Sequence, residues 1–488
     1  MKSTSLLSTI ALLAWTLGGL SSGAQEPVGA QEPVAPATAA DSNEAAAPVS
    51  AHSKVRIVRL SEVKGAVQLD RLTGKGFEGA MANLPVTEGA KLKTGDGVAE
   101  VEFEDNSTIR VGLNSQVEFS RLELLPSGAK ANGINVLQGT VYVNVLNTKG
   151  NEYNVKFGQE TVSLPPDTHV RLQLTPTEAN LAVMHGEVVV EEPSGSTTVS
   201  KNKTATFNLA GQQSEPAIAK NVTEQPLDSW DKDAVQYHKS FANATSFGNS
   251  PYSYGINDMN YYGSFINASG CGSMWRPYFT SASWDPFGSG AWAYYPNAGY
   301  SWVSPYPWGW TPYHYGSWNY CQGVGWGWQP GGNWLGLANN SFVNSAGTTA
   351  GASGINRPHP PTRAPTAFES SLVPVNLKAL PASSLSTHDT FVFRSNSAGF
   401  GVPRGSLGKL NGFSNQASQH GMATTSVVYG GARGAAEAGA ERGAATAGAY
   451  SAASRANSNA AQSSMSSAGM SHASAPSAGA SSGGGARR

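Results

Sequence analysis

Between residues 55 and 210 the chain alternates apolar and polar positions in short runs. Ala99, Val101 and Phe103 alternate with Glu100, Glu102 and Glu104. Ile109, Val111 and Leu113 follow, then Val117 and Phe119, then Val141, Val143 and Val145, and then Val170, Leu172 and Leu174 around Arg171 and Gln173. A period of two sends one set of side chains toward a core and the other toward water. The runs are separated by turn residues, at Thr94-Gly95-Asp96-Gly97, Asp105-Asn106, Pro126-Ser127-Gly128, Pro165-Pro166-Asp167 and Pro193-Ser194-Gly195. Many short strands at this spacing predict an all-β sandwich or roll. On this pattern Glu100, Glu102 and Glu104 form a solvated acidic face, and Asp96 and Asp105 are turn residues.

The flanking segments lack that alternation. Lys2, an apolar run from Leu6 to Leu20 and the small residues Ser22 and Ala24 predict a signal peptide over 1–24, cut after Ala24. The apolar run is too short to span a bilayer, so no stable membrane anchor is expected after cleavage. Residues 25–54 are an Ala/Pro-rich linker in which Gly-Ala-Gln-Glu-Pro-Val occurs twice. A second linker is expected over 211–240, and a low-complexity, mostly disordered tail over 341–488. These assignments predict an exported protein, periplasmic or secreted.

Within 55–210 several segments resemble the FecR domain. Glu88-Gly89-Ala90-Lys91-Leu92-Lys93-Thr94-Gly95-Asp96-Gly97 is similar to an early segment of that family, and Ala99 to Val111 to its next hairpin. Asn114-Ser115, Leu137-Gln138-Gly139-Thr140-Val141-Tyr142 and His185-Gly186-Glu187-Val188-Val189-Val190 resemble its later strands. Asn106 stands where the family has Gly; Asn tolerates the left-handed backbone of a tight hairpin. Leu164-Pro165-Pro166-Asp167-Thr168 replaces the family's Arg-Gly-Thr segment. The resemblance implies the FecR β fold. The family's role is to relay a signal from an outer-membrane iron-siderophore receptor to a sigma factor, through a cytoplasmic domain and one spanning helix; this sequence shows neither of those two parts.

Residues 241–340 form a second distinctive block, rich in Trp, Tyr and Gly. Its only charged residues are Asp258, Arg276 and Asp285. A unit of roughly Gly-x-Trp-x-Tyr followed by Gly-x-x-Trp-x-Pro recurs at about 25 residues. Each unit predicts a small aromatic β-hairpin stacked on its neighbours. Trp292, Tyr294, Trp302, Trp308, Trp310, Trp318, Trp326 and Trp328 are candidates for stacking on the apolar faces of sugar rings, with a core role as the competing reading. His314, between two tyrosines, is expected on a polar rim. Cys271 and Cys321 are the two cysteines; in an oxidising compartment they predict one bridge tying the ends of the array together.

Candidate chemistry is sparse. The nine histidines are scattered, and no zincin, P-loop, nucleophile-elbow or Cys-x-x-Cys pattern occurs. No catalytic residue, metal site or cofactor is predicted. A formal net charge of −1 gives no field for nucleic acid. The expectation is a non-catalytic exported scaffold or binding protein whose partner is an envelope protein or a polysaccharide. Two alternatives stand beside it: a cell-wall or carbohydrate-binding module working through the aromatic repeats, and an accessory to FecR-type envelope signalling.

Overall fold

A computed structural model describes residues 55–146, 150–211, 215–241, 250–340, 358–377 and, with short interruptions, 390–426. The expected signal peptide, the first linker and the tail beyond 426 lie outside the described residues.

The N-terminal domain holds seventeen strands in two layers. One long strand, Lys130–Val145, belongs to both layers. Its second half pairs with Thr108–Val111 on one side and Thr168–Leu174 on the other, and this layer runs from Pro85–Val86 through Val58–Lys64 and Val98–Glu102 to Ala217–Ala219. Its first half pairs with Gln116–Leu124 and, in parallel, with Glu152–Phe157, in a layer that runs from Phe77–Gly79 to Gly195–Ser200. The inward rows predicted from the sequence form the core between the layers; Val101, Phe103, Ile109, Val117, Phe119, Val141, Val143 and Leu172 are all at most 1 % exposed. The turn at Asn106 takes the conformation its residue type allows, with φ at 66°. Its N–H donates to the Phe103 carbonyl at 2.9 Å, and the Asp105 carboxylate accepts from Ser107 N–H at 3.0 Å.

The stretch 211–240 is not all linker. Residues Asp228–Phe241 form a helix with Asp228 and Asp231 in its first turn and His238 and Lys239 in its last, charges that complement the helix dipole. Its weak apolar period reads as linker, but its buried residues are Asp231, Tyr237 and His238, held by ion pairs and ring contacts.

The aromatic block contains three hairpins, Gly263–Ala268 with Gly272–Pro277, Gly290–Tyr295 with Gly299–Val303, and Ser317–Cys321 with Gly325–Gln329. One exchange repeats in each of them. A Cβ at Gly263 would lie 2.3 Å from the Trp275 ring, at Gly290 2.2 Å from Trp302, and at Gly316 2.5 Å from Trp328. Each unit gives up a side chain at its start so that a tryptophan twelve positions later can lie flat against the backbone. The result is an aromatic core in which Trp308 packs edge-on to Trp275 at 5.0 Å and parallel to Tyr306 at 5.1 Å.

The tail also contributes. Leu372–Val375 adds a strand to the central hairpin, and Ala398, Val402, Leu407 and Leu410 pack into the aromatic core. These pieces fall within the stretch expected to be mostly disordered; they are held by contacts with residues far away in sequence.

Cys271 and Cys321 are bonded, joining the first and third hairpins. Closing about 50 residues contributes about 4 kcal/mol in the chain-entropy model. Reductant, or Cys271→Ser, should therefore lower the unfolding free energy by an amount of that order, measured by urea titration.

His314 is buried rather than on a rim. Its Nδ1 lies 2.9 Å from the Gly336 carbonyl, and its ring stacks on Trp334 at 5.3 Å. Burial, against the Gly336 hydrogen bond, pushes its pKa down to about 3. The unfolded chain takes up this proton near the usual value of 6.5 while the folded chain does not, so stability is complete above 6.5 and falls as pH drops toward 3. The expected loss is about 1.4 kcal/mol per pH unit. Urea midpoints at pH 7, 6 and 5 should show it, with a shallower dependence in His314→Gln.

Candidate functional site

The two blocks meet along the strand Val98–Glu102, at residues that the alternation placed in water. Glu100 and Glu102 are 0 % exposed and Glu104 is 4 % exposed. The apolar row of the strand faces the N-terminal core, and the glutamate row is covered by the helices and the tail of the second block. The expected solvated acidic face is thus a buried ion cluster.

Glu100 accepts from four side chains: Ser61 Oγ at 2.7 Å, Arg110 Nε at 2.8 Å, His238 Nε2 at 3.0 Å and Arg404 Nη1 at 2.7 Å. Glu102 pairs with Arg59 at 3.0 Å and accepts the backbone N–H of Gly255 at 3.1 Å. Asp258, on the helix Ile256–Tyr262, binds Arg59 and Arg404 at 2.6 Å each and the Tyr237 hydroxyl at 2.7 Å. Asp231 pairs with the other end of Arg110 at 2.9 Å, and Arg404 lies over the Tyr237 ring. Glu104 takes a bidentate pair from Arg56 at 2.6 and 2.7 Å.

Burial pushes Glu100 up, but His238, Arg110 and Arg404 outweigh it and hold this carboxyl well below its usual range. Asp258 follows the same balance through Arg404 and Arg59. For Glu102 burial prevails over Arg59 and His238, and its pKa is raised. Backbone bonds reinforce the junction. Asn83 Nδ2 donates to the carbonyls of Ser304 and Tyr306 at 3.0 and 2.7 Å, and the Tyr295 hydroxyl donates to Pro85 O at 2.6 Å.

The proposed sugar-stacking row is corrected by burial. Trp292, Trp302, Trp308, Trp310, Trp318, Trp326 and Trp328 are at most 3 % exposed, and only Tyr294 of the eight is half-buried. The indoles are core because short Gly-rich hairpins have little else to bury. Several are held by their N–H groups, Trp308 to Ala398 O at 2.7 Å, Trp328 to Tyr315 O at 2.7 Å and Trp318 to Pro312 O at 3.1 Å. A cavity of about 570 Å³ opens at the junction among Glu104, Asp105, Lys130, Asn151 and Tyr252. Its carboxylates are engaged: Asp105 accepts from Asn151 and Tyr153, and Glu104 holds Arg56. Among the described residues no three His, Cys, Asp or Glu side chains are grouped to hold a metal ion.

Residues 90–189 match the family model described as FecR protein. The chain carries a FecR domain. The glutamate row and the strand Thr108–Val111 beside it fall inside this match, whereas Val58–Lys64 on its other side precedes it; residues 256–353 match a second model, described as a family of unknown function, DUF6600. The FecR domain therefore meets the DUF6600 region through the ion cluster. Solved structures similar to the chain include two, at 1.65 and 2.50 Å resolution, of "a putative anti-sigma factor from Parabacteroides distasonis ATCC 8503". Each is 14% identical over 29% of this chain and 63% of that one, with a TM-score of 0.24. The chain thus spans less than two thirds of those proteins. No curated protein matches it.

Arg404 is the cation that reaches the cluster from the tail. Arg404→Met leaves Glu100 and Asp258 short of a partner in a buried site, a loss of about 3–5 kcal/mol. Urea unfolding of the full chain checks this. A double-mutant cycle with Glu100→Gln should show strong coupling, because the second change removes the charge that the first leaves unpaired.

Proposed function

We propose that this chain is a non-catalytic envelope protein of the FecR signalling kind, and that it works by binding another protein. In this reading the FecR domain and the aromatic block act as one rigid body. The observation that carries it is the junction, where Glu100, Glu102, Glu104, Asp231 and Asp258 are buried and paired with arginines and His238. Groups tied in this way are spent on architecture and are not available as an acid, a base or a nucleophile. The aromatic residues support the same reading, because indoles in a core offer no face to a sugar. Among the described residues no helix is long and apolar enough to cross a membrane.

Tryptophan fluorescence tests the reading. All but one of the twelve tryptophans lie between Trp230 and Trp334, so the signal reports on the aromatic block and the helix beside it. The full chain should emit at short wavelength, resist quenching by iodide and give no saturable response to peptidoglycan fragments or cellulose-type and capsule-type polysaccharides. A saturable shift with protection from quencher would replace this reading with carbohydrate binding.

A further inference from the structure

Counted away from the shared strand Lys130–Val145, each layer of the N-terminal domain ends on its fourth strand, Gly195–Ser200 in one layer and Ala217–Ala219 in the other. These two strands form one open end of the sandwich. The two-residue turn Pro193-Ser194 closes a hairpin on Glu192 and Gly195. Bonded positions alternate along an antiparallel pair, so Gly195, Thr197 and Val199 turn their backbone groups toward Glu187–Glu192. Ser196, Thr198 and Ser200 turn theirs to the free side, where no described strand pairs with them. Such an edge is ordinarily guarded by a charge or a proline within the strand. Gly195–Ser200 contains neither.

The strand at the end of the other layer is also incompletely covered. Ile218 pairs with Ala205, so the two side chains share a face. Ala205 and Phe207 on that face are buried in the core between the layers, but Ile218 is 41% exposed. A core-facing isoleucine therefore meets water where the opposite layer stops. The two end strands converge at one corner, because Ser200 and Lys203 are joined by a two-residue turn and Thr204 pairs with Ala219. Positive charge collects at this corner. Lys201 lies in the turn, and one further step of the register sets Lys203 opposite Lys220. Like charges placed face to face repel. None of the three lysines has an ion-pair partner among the described residues, and the Glu187 carboxylate opposite Ser200 accepts from the Ser200 hydroxyl at 2.7 Å.

We infer that this open end binds an extended acidic segment of a partner protein, which adds a strand to Gly195–Ser200. Three observations choose the occupant. The alternating donors and acceptors of Ser196, Thr198 and Ser200 match a peptide backbone, which neither a lipid surface nor a polysaccharide presents. Ile218 calls for an apolar side chain on the inward face of the added strand. The lysines call for carboxylates at the end that lies beside Ser200. In the antiparallel pairing that Glu187–Glu192 already makes, that is the N-terminal end of the segment. The inference rests on the reading of the chain as one that binds another protein. A glycan response from the indoles would remove that reading, whereas failure here is read at 195–200, which contains no tryptophan.

The test adds the synthetic peptide acetyl-Glu-Glu-Thr-Val-Thr-Val-Thr-Val-amide to the full chain. Binding should be saturable and should slow amide hydrogen exchange at 195–200. Thr198→Pro removes an outward N–H but no bond to Glu187–Glu192, so its melting temperature should hold while affinity for the peptide falls about tenfold. Ile218→Ser should weaken binding as well. The unchanged chain should prefer this peptide about tenfold over one in which lysines replace both glutamates, with a smaller margin at about 500 mM salt than at about 50 mM. Lys201→Glu combined with Lys220→Glu should reverse that preference. Absence of binding, equal affinity for Thr198→Pro, or an unaltered preference in the charge-reversed chain would overturn the inference. So would slowed exchange at 195–200 that appears without peptide as protein concentration rises, which would assign the edge to a second copy.

Discussion

The seam between the FecR domain and the aromatic block is organised around charges kept out of water. A carboxylate in a low-dielectric interior is costly unless it is paired and hydrogen-bonded. Glu100 meets that condition with four partners from four separate segments, namely Ser61, Arg110, His238 and Arg404. Such a cluster discriminates more than it stabilises. Apolar surfaces tolerate sliding, whereas an arginine fork that must reach Glu100 and Asp258 at once permits one docking geometry.

The FecR layers were readable because their signal is local. Strand, turn and strand lie within a dozen residues of one another, and alternation identifies the inward row. The outward row was misread for a physical reason. Alternation implies one wet face only if nothing covers it, and the cover comes from residues 228–241, 255–262 and 404, which share no period with the strand. A clue was present in Asp258. It is one of three charges in a block of a hundred residues, and a lone charge in such a setting needs a buried partner.

The aromatic block shows the same limit. Its hairpins could be read from spacing and its bridge from two cysteines in a chain expected to be exported, but the destination of the indoles could not, because a row of tryptophans suits a binding face and a core equally well. The glycines decide it. Gly263, Gly290 and Gly316 leave room for a ring against their own hairpin, and a ring held there faces inward.

The position of Arg404 along the chain carries a consequence for assembly. Synthesis proceeds from the N-terminus, so Glu100 is made about three hundred residues before the guanidinium that completes its site. Until then the junction holds excess negative charge and favours water. The cluster thus ties maturation of the first domain to arrival of a segment about three hundred residues further along the chain. A chain broken off early would keep its FecR layers but leave the seam between the blocks open, a mark by which quality-control proteases could distinguish it from the finished protein.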